Sequence, residues 1–384
     1  MILKERAVIL KPFGDLFLNL LFTSVVPLVF FSISSAIASM TDLKRLGKIV
    51  SVMMLIFIVT GILSSLIMVI GVSFYPPALG VNIPLQHNGN PQTLSFFEQL
   101  VKAVSVSDFT ELLSKKNMLA LIVFSLLVGL AATKVRERSQ TFISFLQGGY
   151  EVMLKVISLI MLYAPIGLGA YFAYLVGTFG SQLMGSYLRV MTLYYPVALL
   201  YFVLGFSFYA YLAGGFKAIK TFWSNIIPAS LTAWGTGSSI ATIPVNLEAA
   251  KKNGVPEDIR EIVIPIGATV HMDGSCLSAI VKIAFLFGIF HMDFTSPSAI
   301  AMAVVIALLS GVVMSGIPSG GFLGELLIVT FYGFPIEALP LISMIGTLVD
   351  PPATMVNSIG DNVASMMVAR VLNGKKWREK HEKD

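Results

Sequence analysis

Charge is scarce in this sequence. Only 12% of its 384 residues are charged, whereas 56% are hydrophobic. Because soluble globular domains usually carry about 25% charged residues, this composition excludes an ordinary soluble protein. Apolar runs long enough to cross a bilayer, for which about 20 residues suffice, recur along the whole chain. We therefore predict a multi-pass protein of the cell membrane, that is, the inner or plasma membrane, with lipid as its surroundings.

Cysteine is almost absent, because Cys276 is the only one, and this excludes a framework of disulfides. A cleavable signal peptide is not predicted, since the first apolar run contains Pro12, Asp15 and Asn19. The 26 lysines and arginines form short clusters between apolar runs, as expected for the cytoplasmic loops of a membrane protein. They form no single basic face, so no nucleic-acid partner is predicted. No motif supplies a nucleophile together with its base, so an enzyme is not predicted.

Seven apolar runs are predicted to span the membrane. They are Phe17–Met40, Ile49–Val72, Met118–Thr133, Val152–Phe179, Leu188–Gly214, Ile262–Phe290 and Leu339–Leu372. If the basic clusters between them are all cytoplasmic, the spans that separate two clusters must be even in number. The same count places the basic residues before Phe17 outside. Either the charge rule fails there or an earlier span is missing.

Two further apolar segments are interrupted by turn residues. The segment between Lys220 and Lys251 has basic residues on both flanks and the centre TGSSIATIP, which predicts a hairpin that dips into the membrane and returns. The segment between Asp293 and Glu337 breaks at SGIPSGG and, by the same count, enters from the opposite side. Paired interrupted segments of opposite orientation are typical of the inverted repeats of secondary transporters.

Polar residues form a stripe along the last predicted span. Asp350 is followed at +4, +7 and +11 by Thr354, Asn357 and Asp361, and these positions share one face of a helix. Carboxylates inside a membrane usually mark an ion or substrate path. Two prolines, at 351 and 352, directly follow the first acid. We therefore expect a break in the helix that frees backbone carbonyls nearby.

The stretch GATVHMDGS, Gly267–Ser275, is predicted to break the other C-terminal span. It adds Asp273, and hard oxygen ligands such as carboxylates suit a small hard cation. His271 is interpreted either as a hydrogen-bonding core residue or as a group that couples proton movement. Ser238 and Ser239 lie at a turn that opens onto a predicted helix, where backbone N–H groups suit a carboxylate ligand.

Four of these stretches resemble motifs of the glutamate-transporter-like family of dicarboxylate and amino acid:cation symporters. GSSIATIP resembles the serine-rich first hairpin of the family, HMDGS its Asn-Met-Asp-Gly-Thr motif, GIPSGG its second hairpin tip and TMVNSIGD its Thr-Met-Val-Asn-x-x-Gly-Asp motif. Upstream, LKPFGDLFLNLLFTSVVPLVFFSI and DLKRLGKI are similar to its second span and the following loop. The likeness covers nearly the whole chain, but the family normally has one more N-terminal span.

The resemblance implies an all-α polytopic membrane fold, that of the glutamate-transporter homologues, with inverted repeats, two opposed re-entrant hairpins and broken helices. It also implies a homotrimer with an elevator mechanism. Residues 1–215 would form scaffold and trimerisation spans, with parts of the transport domain in spans 49–72 and 150–180. The transport domain, 216–374, would comprise hairpin 1 (216–255), a broken span (259–290), hairpin 2 (296–334) and a second broken span (337–373). A basic cytoplasmic tail, 375–384, would follow.

The binding residues are likewise implied by the resemblance. Asp350 would bind the amino group of the substrate. The other expected substrate-binding residues are Ser238, Ser239, Ser275, Ile317, Gly321, Ala353, Thr354 and Asn357. The residues expected to hold coupling sodium ions are Thr60, Gly267, Thr269, His271, Asp273, Asn357 and Asp361, with His271 at the position where the family has an asparagine.

Two departures from the family bear on the substrate. Ala353 and Gly237 stand where members that carry acidic substrates have an arginine, and a buried substrate carboxylate without a cationic partner is disfavoured. We therefore predict symport of a small neutral amino acid, with an acidic amino acid or a dicarboxylate as the alternative. Lys282 bears on this choice, because it has three possible positions: at the outer interface, paired with Glu325, or at the substrate.

Sodium is favoured over the proton as the coupling ion, because Asp273, Asn357 and Asp361 are all present. Proton coupling stays open, because the cation residues depart from the family at His271. A channel is the alternative from another class. It would need repeated polar rings along a pore, which one asymmetric site does not supply.

Overall fold

The computed structural model describes residues 9–38, 45–78, 101, 105–114, 117–179, 181–313, 321–375 and 377. All regular elements within these residues are helices. The chain forms two compact units. The first unit comprises Met1–Thr41, Ile83–Met184 and Val329–Pro340, and the second comprises Asp42–Asn82, Gly185–Ile328 and Leu341–Asp384.

The α-helices are numbered in chain order. They are α1 (Lys11–Ala38), α2 (Arg45–Phe74), α3 (Phe109–Leu112), α4 (Met118–Lys134), α5 (Arg136–Phe179), α6 (Ser181–Leu200), α7 (Phe206–Thr236), α8 (Ser239–Lys252), α9 (Glu257–Val270), α10 (Asp273–Ile289), α11 (Pro297–Val313), α12 (Gly321–Phe331) and α13 (Leu339–Asn373). A π-helical turn, Tyr201–Gly205, joins α6 to α7, and a 3₁₀ turn, Ile336–Ala338, precedes α13.

Four helical segments are long and apolar enough to cross a membrane, within the described part of the chain. They are Gly47–Phe74, Met184–Thr236, Glu257–Ile289 and Ile336–Asn373. Each matches one of the predicted spans, although Phe290 lies one residue beyond the third segment. The predicted span Met118–Thr133 corresponds to α4, which is apolar but shorter. The prediction of several membrane-spanning helices is therefore confirmed.

In the first unit, α1 packs against α4 and α5. The helices approach closely where α4 and α5 present glycines. A Cβ atom at Gly129 would lie 2.6 Å from Cβ of Ile37, and one at Gly167 would overlap Phe17. The Ser34 hydroxyl also donates a hydrogen bond to the Ser125 carbonyl at 3.0 Å. Small residues at helix contacts are the usual means of close packing in membrane proteins.

The second unit contains a helical hairpin at the predicted position. Gly214 and Gly215 have non-helical backbone angles inside α7. Helix α7 ends at Thr236, and the next residue, Gly237, has a φ of 59°, in the left-handed region. Such an angle favours glycine, because other residues are strained there. Ser238 then caps α8. We call the part of α7 after Gly215, the turn and α8 hairpin 1.

A second pair of helices, α11 and α12, forms hairpin 2. The Ser310 hydroxyl on α11 donates a hydrogen bond to the Gly324 carbonyl on α12 at 3.3 Å, which joins the two arms. The predicted tip, including Ile317, lies outside the described residues.

The break predicted within Gly267–Ser275 is confirmed. Helix α9 ends at Val270, the backbone of His271 is extended with φ −101° and ψ 101°, and α10 begins at Asp273. This break leaves the last carbonyls of α9 and the first N–H groups of α10 without helical partners. It therefore places a polar backbone inside an otherwise apolar segment.

The break predicted at Pro351 and Pro352 is wrong, because α13 is one helix from Leu339 to Asn373. The prolines do remove the N–H groups that would bond to the carbonyls four residues earlier, at 347 and 348. One of these carbonyls, that of Leu348, accepts a hydrogen bond from the Tyr195 hydroxyl at 2.9 Å. A distant side chain thus replaces a missing backbone donor, and the helix continues.

Four asparagines form a chain of hydrogen bonds that joins hairpin 1 to α13. Asn225 donates to Asn253 at 3.0 Å, Asn253 donates to Asn362 at 2.9 Å, and Asn362 donates to Asn246 at 2.8 Å. Asn246 in turn donates to the Ser358 carbonyl at 2.6 Å. Sequence reasoning missed this chain, because asparagines that bond directly to each other lie up to 116 residues apart. It fixes α8 on the helix that carries the polar stripe.

Replacing Asn362 by leucine should destabilise the protein by about 2 kcal/mol, because the buried amide groups of Asn246 and Asn253 would lose their partner. The measurement is the thermal unfolding midpoint of the purified protein in detergent. Asn19→Leu is the matched control, since Asn19 lies on α1 and is exposed. An Asn362→Leu variant that unfolds at the wild-type temperature would show that the chain of asparagines contributes little.

Candidate functional site

The polar stripe of α13 faces the interior of the second unit. Thr354, Asn357 and Asp361 are buried, and Asp350 is half-buried. A stripe turned to lipid would be exposed, so these side chains face the interior of the protein. Three parts of the unit lie against the stripe: hairpin 1, the break between α9 and α10, and the first turn of α10.

Asp350 lies beside the turn of hairpin 1. A Cβ atom at Gly237 would be 2.7 Å from Oδ2 of Asp350, so the backbone of the turn is next to the carboxylate. Thr354, one helical turn further along α13, interacts with the same carboxylate. A side chain at position 237 would be strained by the left-handed φ and blocked by the carboxylate. An arginine at this position therefore does not fit this backbone.

The two serines of hairpin 1 bind locally and across to α13. The Ser238 hydroxyl accepts a hydrogen bond from the Ala241 N–H at 3.2 Å and so caps α8. The Ser239 hydroxyl accepts one from the Ser358 hydroxyl at 3.0 Å. These contacts hold the N-terminus of α8 beside the middle of α13, and a helix N-terminus with its N–H groups favours an anionic ligand group.

Asn357 joins α13 to the start of α10. Its Oδ1 accepts a hydrogen bond from the Ser275 N–H at 3.1 Å, and its Nδ2 donates to the Ser275 hydroxyl at 3.0 Å. Gly274 packs directly on the backbone of Ala353, where a Cβ atom would overlap the carbonyl. The Tyr194 hydroxyl donates to the Gly274 carbonyl at 2.8 Å. The predicted substrate residues Ser275, Ala353 and Asn357 therefore all lie where the start of α10 packs on α13.

The ring of His271 is held on both sides. Nδ1 lies 3.0 Å from Oδ1 of Asp361, and Nε2 lies 2.9 Å from the Thr60 hydroxyl. The ring stacks on Phe57 with centroids 4.1 Å apart and is only 2% exposed. His271 is thus a hydrogen-bonding core residue, as one of the two interpretations expects. Its role in proton coupling stays a prediction.

Asp273 has one paired oxygen and one unpaired oxygen. Oδ2 accepts a hydrogen bond from the Tyr201 hydroxyl at 2.7 Å. Oδ1 lies 3.4 Å from Nε2 of His271 and has no hydrogen-bond partner in the described part of the chain. Tyr201 belongs to the π-helical turn, and such turns often occur at functional sites. Sequence reasoning missed it, because no local pattern predicts the contact across 72 residues.

The expected cation residues are mostly brought together. Asp361, His271, Thr60 and Asp273 form one network, and Gly267 packs on Asp361 so closely that a Cβ atom would overlap the carboxylate. Asn357 lies one turn before Asp361 on α13.

Thr269 is the exception among the expected cation residues. Its hydroxyl bonds to the Ile266 carbonyl of its own helix at 2.8 Å. Within the described residues, no cluster of three or more His, Cys, Asp or Glu side chains is arranged to hold a metal ion. The oxygen donors of the site are carboxylate, hydroxyl and carbonyl groups, which suit a hard cation rather than a soft transition metal.

Lys282 and Glu325 form a buried ion pair. Nζ of Lys282 lies 2.7 Å from Oε1 of Glu325, and both side chains are almost fully buried. Of the three positions considered for Lys282, pairing with Glu325 is therefore the one that the structure shows. Gly321, the remaining predicted substrate residue, begins α12, which also carries Glu325.

The chain is similar to known membrane transport proteins over most of its length. The sodium:dicarboxylate symporter family matches residues 1–371. A proton/sodium-glutamate symport protein of Geobacillus stearothermophilus is 28% identical over 95% of this chain and 88% of its own length. A C4-dicarboxylate transport protein of Mesorhizobium japonicum is 27% identical over 94% and 77%. The neutral amino acid transporter B(0) of Bos taurus is 28% identical over 94% and 73%.

Gly274→Ala should destabilise the contact between α10 and α13, because its Cβ atom would overlap the Ala353 backbone, which cannot rotate away. We expect a cost of about 1–3 kcal/mol, as for other overpacked interiors, measured as a lower thermal unfolding midpoint in detergent. Gly235→Ala is the control, since a Cβ atom there would meet nothing within 4 Å. Equal midpoints for the two variants would contradict the close contact.

Proposed function

Because the chain belongs to the sodium:dicarboxylate symporter family, we propose that it carries a small neutral amino acid across the membrane together with a cation. Membership makes it a multi-pass membrane transporter of the cation-coupled dicarboxylate and amino acid type, not an enzyme. The substrate and the ion are inferred from the geometry of the second unit, and the mechanism from the family resemblance.

The observation that carries the proposal is the position of Asp350. Its carboxylate is half-buried, lies against the hairpin 1 turn and is not bound by any basic side chain within hydrogen-bond distance in the described residues. An ionised carboxylate at membrane depth is costly without a partner. The ammonium group of an amino acid is such a partner, and the N–H groups at the start of α8 suit its α-carboxylate.

The preference for a substrate with a neutral side chain follows from the lack of an available basic side chain at positions 353 and 237. Position 353 is alanine, and at position 237 a side chain would be strained by the left-handed φ and would crowd the Asp350 carboxylate. Lys282, the one cation whose charge acts on Asp350 among the described residues, is engaged with Glu325. A second substrate carboxylate would therefore be buried without a partner, at a cost of several kcal/mol. Relatives named for glutamate, C4-dicarboxylate and neutral amino acid transport show that the family allows all three classes.

Sodium is the coupling ion that the oxygen donors favour. Oδ1 of Asp273, which has no hydrogen-bond partner among the described residues, lies in a buried polar network that also contains the Thr60 hydroxyl and the Asp361 carboxylate. Each of these oxygens is a hard donor. Proton coupling is the second candidate, because His271 bridges Asp361 and Thr60 where a neutral amide stands in the family.

The mechanism that we propose is an elevator within a homotrimer, as the family resemblance implies. Every described residue of the proposed substrate and cation sites belongs to the second unit. A site built entirely within one compact unit can move with that unit without losing its ligands. A channel is disfavoured, because a pore would need polar groups repeated along its length, and the proposed site is a single cluster.

Uptake into proteoliposomes should be saturable and should require sodium. The panel is L-alanine, L-serine, L-glutamate, L-aspartate and succinate, each measured in a sodium gradient and with choline in place of sodium at equal pH on both sides. We expect a neutral amino acid to be taken up best and choline to abolish its uptake. Uptake that follows only an imposed pH gradient would assign the coupling to protons, and conductance without a gradient would support a channel.

Asp350→Asn should reduce amino acid uptake at least about 100-fold, because the substituted amide no longer neutralises the ammonium group, while the unfolding midpoint stays near that of the wild type. Asp293→Asn is the matched control, since Asp293 is exposed and accepts bonds only within its own turn, from Thr295. Unchanged uptake by Asp350→Asn would remove this residue from the proposed site.

A further inference from the structure

The Lys282–Glu325 pair is an unusual feature of the second unit. Lys282 lies on α10, nine residues after Asp273, and nearly every residue of this helix is buried. Both charged groups are only 2% exposed. A buried ion pair gains little stability over apolar side chains of similar size, because both charges must be removed from water. Its presence in an apolar helix therefore points to a role other than stability.

The pair lies close to α13 just before the polar stripe. At Gly346 a Cβ atom would overlap Oε1 of Glu325 and would lie 3.2 Å from Nζ of Lys282. Gly346 precedes Asp350 by one helical turn, a rise of about 6 Å. Three helices, α10, α12 and α13, therefore meet at the pair, and the glycine makes room for both charged groups beside the helix that carries Asp350.

Because the pair lies against Gly346, one helical turn from Asp350, its two charges act on the Asp350 carboxylate with opposite signs. With the pair intact, Glu325 holds the ammonium group of Lys282, and Asp350 keeps its negative charge for a ligand. If the ammonium group of Lys282 were released, it would be attracted to Asp350 and would repel the ammonium group of an amino acid. In a poorly screened interior, one added unit charge beside Asp350 substantially changes the affinity of the site for a charged ligand.

We propose that Glu325 is a specificity-determining positioning residue: it holds the ammonium group of Lys282 and thereby leaves Asp350 available to the amino group of the substrate. The inference rests on the proposed function, because it assumes that Asp350 binds this group. It makes the preference for an amino-bearing substrate depend on a residue of hairpin 2 that need not touch the substrate.

A purely structural role makes a different prediction. If the pair only held α10 and α12 together, removal of either charge would weaken binding of all substrates alike. If the pair sets the charge beside Asp350, the two single variants have opposite effects. Loss of the Glu325 charge adds positive charge to the site, and loss of the Lys282 charge adds negative charge.

The experiment compares L-alanine with propionate, which differ only in the amino group, as competitors of the best amino acid in the uptake panel. The readout is the ratio of the two inhibition constants in proteoliposomes. Glu325→Gln should shift this ratio toward propionate by about tenfold or more, and Lys282→Met should shift it toward alanine by at least about threefold. The double variant, Lys282→Met with Glu325→Gln, should return the ratio to within about threefold of the wild type.

The controls separate the possible failures. Glu248→Gln breaks an exposed pair with Lys252 and should leave the ratio unchanged. Shifts of the same sign in both single variants, or no shift in either, would overturn the inference. If Glu325→Gln does not fold, the direction of the Lys282→Met shift decides. If Asp350→Asn does not affect amino acid uptake, the proposed function itself has failed; if it does and the ratios do not move, only this inference has failed.

Discussion

Carboxylates inside a membrane protein need partners, and the distribution of those partners determines this structure. Four acidic residues lie in α10, α12 and α13: Asp273, Glu325, Asp350 and Asp361. Glu325 pairs with Lys282, and Asp361 bonds to His271. Asp273 receives one hydroxyl, from Tyr201, and keeps one free oxygen. Asp350 has no basic partner within hydrogen-bond distance among the described residues. Within the described residues, the protein therefore satisfies some of these groups and leaves others without a partner.

Close backbone contacts make this distribution possible. Glycines at 237, 267 and 346 each lie against a carboxylate oxygen, and Gly274 lies against the backbone of α13. At all four positions a Cβ atom would approach within 3 Å of a neighbouring atom, a distance that real side chains almost never show. Hence the helices can surround the stripe closely enough to exclude lipid. The same contacts explain why a single added methyl group is expected to be costly here.

Short sequence patterns predicted the parts of the site that depend only on residues close together in the chain. The stripe on α13 followed from helical periodicity, and the hairpin turn and the break before Asp273 followed from glycine and from polar residues in apolar runs. The continuity of α13 over Pro351 and Pro352 could not be predicted. It depends on the Tyr195 hydroxyl, 153 residues away. The contact between Tyr201 and Asp273 and the chain of asparagines were not predicted for the same reason, because each joins elements that only the tertiary fold brings together.

The unpaired groups suggest why substrate and cation should move together. Under the proposed function, the empty site carries the charge of Asp350 and an unpaired oxygen of Asp273, and both are costly to enclose in a low-dielectric interior. An amino acid alone would neutralise only Asp350, and a cation alone would bind only the oxygen of Asp273. The enclosed state is therefore most stable when both are bound. Glu325 supports this arrangement, because a released Lys282 would neutralise Asp350 without any substrate and would weaken the link between loading and movement.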